Sequence, residues 1–227
     1  PILANEVKII EDIPGNGLEV SNHSKVTVHY IGKLEDNTEF DNSYKRNEYF
    51  QFQIGIRKVI LGWETGLLGM KEGGKRTIYI PYQLAYGENG AGDLIPPKSN
   101  LIFEIEVINV IPPKYEEIDN YQLKLAMSDV NFSILDIRNE EDIKKSGKIP
   151  GSILLTAFDK YGNFIPEFLQ MYEEIFTPNK KVIFVSERGV ISSILANGFV
   201  EQLNKTNIYN LKEGIEGLKK INFEFEQ

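Results

Sequence analysis

The chain of 227 residues contains no cysteine. That absence removes disulfides, thiolate nucleophiles and cysteine-based zinc sites together. It leaves the compartment open, because a cysteine-free chain suits reducing and oxidising surroundings alike. No apolar run reaches the roughly 18 residues that a membrane-spanning helix requires. Basic clusters are missing too: the net charge is −8, and nothing resembles a dense Lys/Arg patch, so no nucleic-acid partner is expected. Histidine occurs only as His23 and His29, with no companions at metal-ligand spacing. Both are read as ordinary surface or sheet residues, and no metal or other cofactor is expected. Hydrophobic residues at 41% and charged ones at 26% suffice for a buried core, and the length allows one large domain or two small ones.

The chain opens on Pro1 rather than methionine. Ile2-Leu3-Ala4 before Asn5 would make an acceptable end to an export signal, with a small residue at the cut. A trimmed start explains Pro1 as well, so the expectation leans to export with the cytoplasm as alternative.

Tryptophan occurs once, at Trp63 in Val59-Ile60-Leu61-Gly62-Trp63-Glu64-Thr65-Gly66. A lone tryptophan serves as a core anchor or as a pocket floor, and taken alone the core anchor is favoured. Around it the first half reads as strands. A β-prone run from Glu6 to Glu11 ends at the turn Pro14-Gly15-Asn16-Gly17. Ser24 to Leu34 alternates as a strand with both faces partly covered, and Phe40-Asp41 begins the next extended piece. Tyr49 to Ile54 alternates cleanly, placing Phe50, Phe52 and Ile54 on one face. Ile60, Trp63, Leu67 and Met70 recur at helical spacing, so a short amphipathic helix is predicted within Lys58 to Gly69. Lys75 to Ile80 and Leu101 to Ile111 are further strands. Between them Tyr82 to Pro97 is irregular, and a loop of that length is usually functional. Pro112-Pro113-Lys114 reads as a linker. The expectation is an α+β domain over 1–112, its helix across the apolar face of an antiparallel sheet, bringing Trp63 near Phe50, Phe52 and Phe103. On these patterns alone a plain core of those rings with no pocket is the favoured reading.

Val28-His29-Tyr30-Ile31-Gly32, Glu39-Phe40-Asp41-Asn42-Ser43, Val59 to Gly66, Ala85-Tyr86-Gly87 and Ile95-Pro96-Pro97 stand in the order and spacing of the FKBP family, which this half resembles over residues 5–111. The resemblance implies a peptidyl-prolyl cis-trans isomerase fold in which an antiparallel sheet wraps on a short helix. The partners it implies are Pro-containing peptides or unfolded protein clients, together with macrolides of the tacrolimus type. It assigns catalytic positions to Tyr30, Phe40, Asp41, Tyr86 and Phe103, and substrate-binding positions to Phe50, Phe52, Val59, Ile60, Trp63, Leu94 and Ile95. Trp63 would floor the proline site. The Ile60 N–H and the Tyr86 hydroxyl would donate to carbonyls flanking the proline, and Phe40, Phe103 and Asp41 would line the wall facing the rotating amide. Two departures fall at the rim: Asn89-Gly90-Ala91-Gly92 lacks the aromatic or histidine some members carry, and Lys58 stands where some carry an acid. They bear on ligand preference rather than on chemistry.

The second half alternates strands with helices, the pattern of a parallel α/β sheet. Strands are predicted at Phe132 to Asp136, Lys181 to Val185 and Asn207 to Asn210. Helices are predicted at Tyr115 to Ser128, Asn139 to Ser146, Pro166 to Phe176, Ser192 to Leu203 and Gly214 to Lys220. The third of these strands is followed by Leu211, and Leu195, Ala196, Phe199 and Leu203 are taken as the buried face of the fourth helix. Leu135-Asp136-Ile137-Arg138, Gly147-Lys148-Ile149-Pro150-Gly151-Ser152, Val182-Ile183-Phe184-Val185-Ser186 and Tyr209-Asn210-Leu211 resemble the rhodanese-like domain, expected over 113–227. In active members the loop after the central strand opens with a persulfide-bearing cysteine. Here that loop is degenerate: Ser186, Glu187, Arg188, Gly189, then Val190, Ile191 and Ser192. A serine hydroxyl cannot accept a sulfane sulfur, and Glu187 would repel an anionic donor. The resemblance therefore implies a docking module without sulfurtransferase activity, beside an isomerase that assists folding. The alternative is a chaperone-like binding adaptor without useful turnover.

Overall fold

The computed structural model describes residues 6–226. Residues 1–5, on which the export expectation rests, lie outside the described residues. Contacts divide the chain into two units, Pro1–Pro113 and Lys114–Gln227. The division falls one residue beyond the expected 1–112.

Alternating side chains build the first unit. Strand β2 (Lys25–Leu34) buries every second residue from Val26 to Gly32 while the other face stays partly covered. It pairs antiparallel with β6 (Leu101–Ile111) over its whole length. With β1 (Lys8–Ile13), β3 (Glu39–Asn42) and β5 (Lys75–Ile80) the sheet runs β1-β5-β6-β2-β3, and β4 (Phe50–Gln53) also pairs with β2. A one-turn helix α1 (Ser43–Arg46) follows β3.

Helix α2 (Leu61–Gly66) is shorter than the spacing predicts, with Ile60 as its extended N-cap. Trp63, Leu67 and Met70 are buried all the same. The chain leaves the helix at Leu67, where pairing with another segment takes over: the Gly69 N–H donates to the Val20 carbonyl (2.9 Å) and the Val20 N–H to the Met70 carbonyl (2.7 Å). Small residues let α2 lie close on the sheet. A Cβ on Gly62 would overlap Ile80, and one on Gly66 would stand 3.0 Å from Ile78. Buried Arg76 holds the far end, donating to the carbonyls of Gly66 (2.9 Å) and Leu68 (3.1 Å) and pairing with Asp12.

One of the two histidines departs from the sequence reading. His29 is a sheet residue, its Nδ1 2.8 Å from the Ser43 hydroxyl and its ring stacked on Tyr44. His23 is buried rather than superficial and holds a left-handed φ of 63°. Burial lowers its pKa to about 4 from 6.5. The folded state therefore binds fewer protons than the unfolded one between those values, so stability is complete above pH 6.5 and drains away as pH falls towards 4. The expected loss is on the order of 2 kcal/mol, after allowing for relaxation around the charged ring. Urea titrations followed by Trp63 fluorescence at pH 7 and pH 4.5 measure it. His23→Asn, which tolerates the same φ, should show a smaller drop, and an equal drop in both proteins would assign the effect to carboxylates.

In the second unit the strands are parallel and ordered β7-β11-β10-β8-β9, namely β7 (Glu116–Ile118), β8 (Phe132–Asp136), β9 (Ile153–Leu154), β10 (Lys181–Val185) and β11 (Ile208–Leu211). Helices α3 (Asn120–Ala126), α4 (Glu140–Ser146), α5 (Phe168–Ile175), α6 (Val190–Glu201) and α7 (Gly214–Lys220) cover the sheet, whose two faces carry separate apolar clusters. The helix predicted from Tyr115 is instead strand β7 followed by α3. Asp119 stops the strand and caps the helix in a capping box with Gln122. Its buried residues are Leu123 and Ala126, whereas Tyr121, Leu125 and Met127 are exposed. Leu203 is exposed as well, and Val200 is buried beside Phe199.

Candidate active site: an aromatic cavity in the first unit

The rings converge as expected. Trp63 on α2 meets Tyr30 of β2 at 5.1 Å and Phe103 of β6 at 5.2 Å, both edge-to-face at 86°. Phe50 lies 5.9 Å away and Phe52 5.4 Å. Phe40 stands edge-on to Phe103 at 5.7 Å. A cavity of about 340 Å³ opens beside these rings. Tyr30, Phe40, Asp41, Phe50, Val59, Ile60, Trp63, Tyr86 and Phe103 line it, joined by Arg57 and Lys58. Gly32 makes the wall possible: a Cβ there would come within 2.7 Å of the Phe40 ring and 2.9 Å of the Phe103 ring.

Three of the expected site residues are not in the lining. Phe52 is buried behind it, stacked on Phe50 at 5.3 Å. Ile95 is buried in the core, bridged through its backbone to Ala91, and Leu94 is 64% exposed on the same loop. A β-strand sends alternate residues to one face at unequal depth, and a loop turning over one residue sends neighbours opposite ways, so sequence position alone did not separate these from the lining.

The polar groups are arranged unevenly. Asn42 caps α1, its side chain accepting from the N–H groups of Tyr44 (2.9 Å) and Lys45 (3.2 Å). That turn brings Arg46 back over Asp41. The two form an ion pair, Tyr30 donates its hydroxyl to the other Asp41 oxygen, and the Asn42 N–H adds a third donor at 2.8 Å. Arg46 also donates to the Tyr30 hydroxyl at 3.3 Å. Asp41 is thereby fully engaged and positions Tyr30 rather than standing free as a base. Arg46 was missed from sequence. Its only signal was its place one helical turn beyond the capping asparagine.

The cavity also holds donors with no acceptor among the described residues, the Ile60 N–H and the Tyr86 hydroxyl among them. Burial pushes the Tyr86 phenol up in pKa, so it remains a proton donor. Its loop is tied down where the Gly87 N–H, at φ 65°, donates to the Tyr82 carbonyl (2.8 Å). The Trp63 indole N–H is buried with no partner either, so packing alone holds that ring.

The degenerate loop of the second unit is arranged differently. Ser186 is buried and accepts from the Ser192 N–H (3.2 Å), with the two hydroxyls 2.9 Å apart. Glu187 bridges Arg138 (3.0 Å) and Lys219 (2.7 Å). Burial raises its pKa, but these two cations outweigh burial and hold it below the ordinary carboxylate range. Arg188 pairs with Glu216 at 2.9 Å. Gly189, at φ 76°, leaves no room for a Cβ against the Lys212 and Leu211 carbonyls. Every charged side chain of the loop is thus already paired.

An antiparallel sheet laid on one short helix, with an aromatic cavity between them, is the architecture of a proline-binding isomerase domain. Comparison with known proteins gives the family. The model of FKBP-type peptidyl-prolyl cis-trans isomerases matches residues 17–108, and that of rhodanese-like domains matches 119–221. An FK506-binding protein of Neisseria meningitidis serogroup C is 48% identical over 103 residues, covering 45% of this chain and 94% of its own. Peptidyl-prolyl cis-trans isomerase FKBP2 of Homo sapiens is 52% identical over 83 residues, 37% of this chain and 58% of its own. The solved structure of AtFKBP13 shares 40% identity over 46% of this chain and 91% of its own, with a TM-score of 0.42. The chain belongs to the FKBP-type peptidyl-prolyl cis-trans isomerase family and carries a rhodanese-like domain after the isomerase domain.

Proposed function

We propose that the first unit speeds rotation about X–Pro bonds in protein clients by seating the proline on Trp63 and stripping water from the amide before it. The reading rests on one observation, the 340 Å³ cavity whose largely apolar walls carry the unpaired Ile60 N–H and Tyr86 hydroxyl. Rotation is slow because the twisted amide loses C–N resonance, at about 18–20 kcal/mol. Water stabilises the polar planar form, so an apolar wall of Phe40 and Phe103 removes that advantage. Donors to the carbonyls flanking the proline hold the chain while the bond turns. The pocket then binds the twisted amide better than either planar form, which is the requirement for catalysis without a nucleophile. Tacrolimus-type macrolides would occupy the same cavity. A peptide of the Ala-Leu-Pro-Phe type gives the test: the full chain is expected to accelerate its cis–trans relaxation. Tight binding without acceleration would leave a binding adaptor in place of an enzyme.

For the second unit we infer a docking role without sulfur transfer. Ser186 offers oxygen where sulfur is needed, and Glu187 already occupies the cations that an anionic donor would use. Thiosulfate-to-cyanide turnover by the full chain should stay at background, and turnover above it would overturn this inference.

A further inference from the structure

The cavity rim carries two cations that no described residue pairs with. Arg57 and Lys58 line the cavity and are exposed, and neither makes an ion pair or a hydrogen bond among the described residues. In a chain of net charge −8, adjacent unpaired cations at a binding site are conspicuous. Two neighbouring charges are paired, Asp41 with Arg46 and Glu88 with Lys98 on the loop that follows Tyr86. The segment bearing the cations is also held in place. Gly55 donates its N–H to the buried Glu64 carboxylate of α2, and Arg57 sits at a left-handed φ of 57°. That backbone region is unfavourable for arginine, and strain of this kind concentrates where a loop meets a ligand. Val59 and Ile60 then continue the same segment into the cavity wall.

We propose that Arg57 and Lys58 select proline segments that carry an Asp or Glu within two residues of the proline. The proposal rests on the cavity being the proline site. A backbone carbonyl held by the Ile60 N–H places its neighbouring residues alongside residues 57–58, because an extended peptide advances about 3.3 Å per residue. An acidic side chain there meets two cations at once, whereas a basic one meets repulsion, so selection works by attraction and by exclusion. The attraction acts across partly solvated space and weakens with salt.

Trp63, as the only tryptophan, supplies the readout. Acetyl-Xaa-Leu-Pro-Phe-amide and acetyl-Ala-Leu-Pro-Phe-Xaa-amide, with Xaa as Glu, Gln or Lys, are titrated into the full chain while its fluorescence is followed. In at least one register the Glu peptide should bind about three- to tenfold tighter than the Gln peptide, and the Lys peptide more weakly than both. The gap should fall below about twofold in 0.5 M salt and in the Arg57→Asn, Lys58→Gln variant, where asparagine tolerates the left-handed backbone. Equal affinities for Glu and Gln in both registers would overturn the proposal, as would a gap that survives the double substitution. Exchange spectroscopy on the same samples separates it from the isomerase reading. A Glu preference without faster exchange defeats only the isomerase reading, and faster exchange without a Glu preference defeats only the rim proposal. If no peptide perturbs Trp63, both fall.

Discussion

Replacing Trp63 and Phe103 together by leucine is expected to lower kcat/KM for prolyl isomerisation by about a hundredfold. Each ring contributes roughly 1.5 kcal/mol of apolar contact to the seated proline or to the amide wall, and about 1.4 kcal/mol corresponds to a factor of ten. Leucine keeps the site apolar but fills neither the floor nor the edge-to-face contact of 5.2 Å that joins the two rings. Both residues are core residues too, so the double variant should lose stability by about 3–5 kcal/mol. Far-UV circular dichroism in urea must therefore first establish conditions in which it is folded. Under those conditions a Tyr30→Phe variant separates the effect of a lining ring from that of its hydroxyl. It keeps the ring and loses only the hydroxyl given to Asp41. An isomerisation rate equal to wild type in the folded double variant would mean that the cavity is not where the bond turns.

How much of this could be seen in the chain follows from which interactions are local. Strand periods were legible because β2, β4 and β6 alternate one side chain at a time, and the convergence of Phe50 and Phe103 on Trp63 followed from that alternation. The end of α2 was not legible, because its carbonyls are taken by Arg76, reached through a strand rather than by the helix's own spacing. Strand β7 was hidden for a similar reason. Its three residues pair with Tyr209 to Leu211, far along the sequence, and locally they look like the start of α3. Within the site, ring residues were identifiable as types, but depth was not. Phe50 and Phe52 share a face and only one lines the cavity. Arg46 escaped because its role depends on a one-turn helix too short to leave a period.

Paired Asp and Arg two residues apart in the second unit read as part of a family motif, and the structure gives the motif its physical content. Arg138 donates from Nε and Nη2 to both oxygens of Asp136, at 2.9 and 2.7 Å, and neither side chain reaches solvent appreciably (2% and 0% exposed). Its remaining donors go to the Gly147 carbonyl (2.8 Å), the Ser146 hydroxyl (2.6 Å) and Glu187 (3.0 Å). One guanidinium thus joins the end of β8, the end of α4 and the degenerate loop. Removing one member of a buried pair leaves the other uncompensated, which costs about 3–5 kcal/mol, whereas replacing both by apolar groups is often near neutral. Arg138→Met is therefore expected to destabilise the second unit by that amount, because it strands Asp136 and leaves Glu187 with Lys219 alone. Adding Asp136→Leu should restore most of the loss. Urea unfolding of the full chain separates the units without cutting it, since Trp63 reports on the first unit only. The circular dichroism transition of the second unit should move to lower urea in Arg138→Met while the Trp63 transition stays where it is. An unmoved circular dichroism transition would refute the buried-charge argument. A Trp63 transition that moved with it would mean that the two units unfold as one.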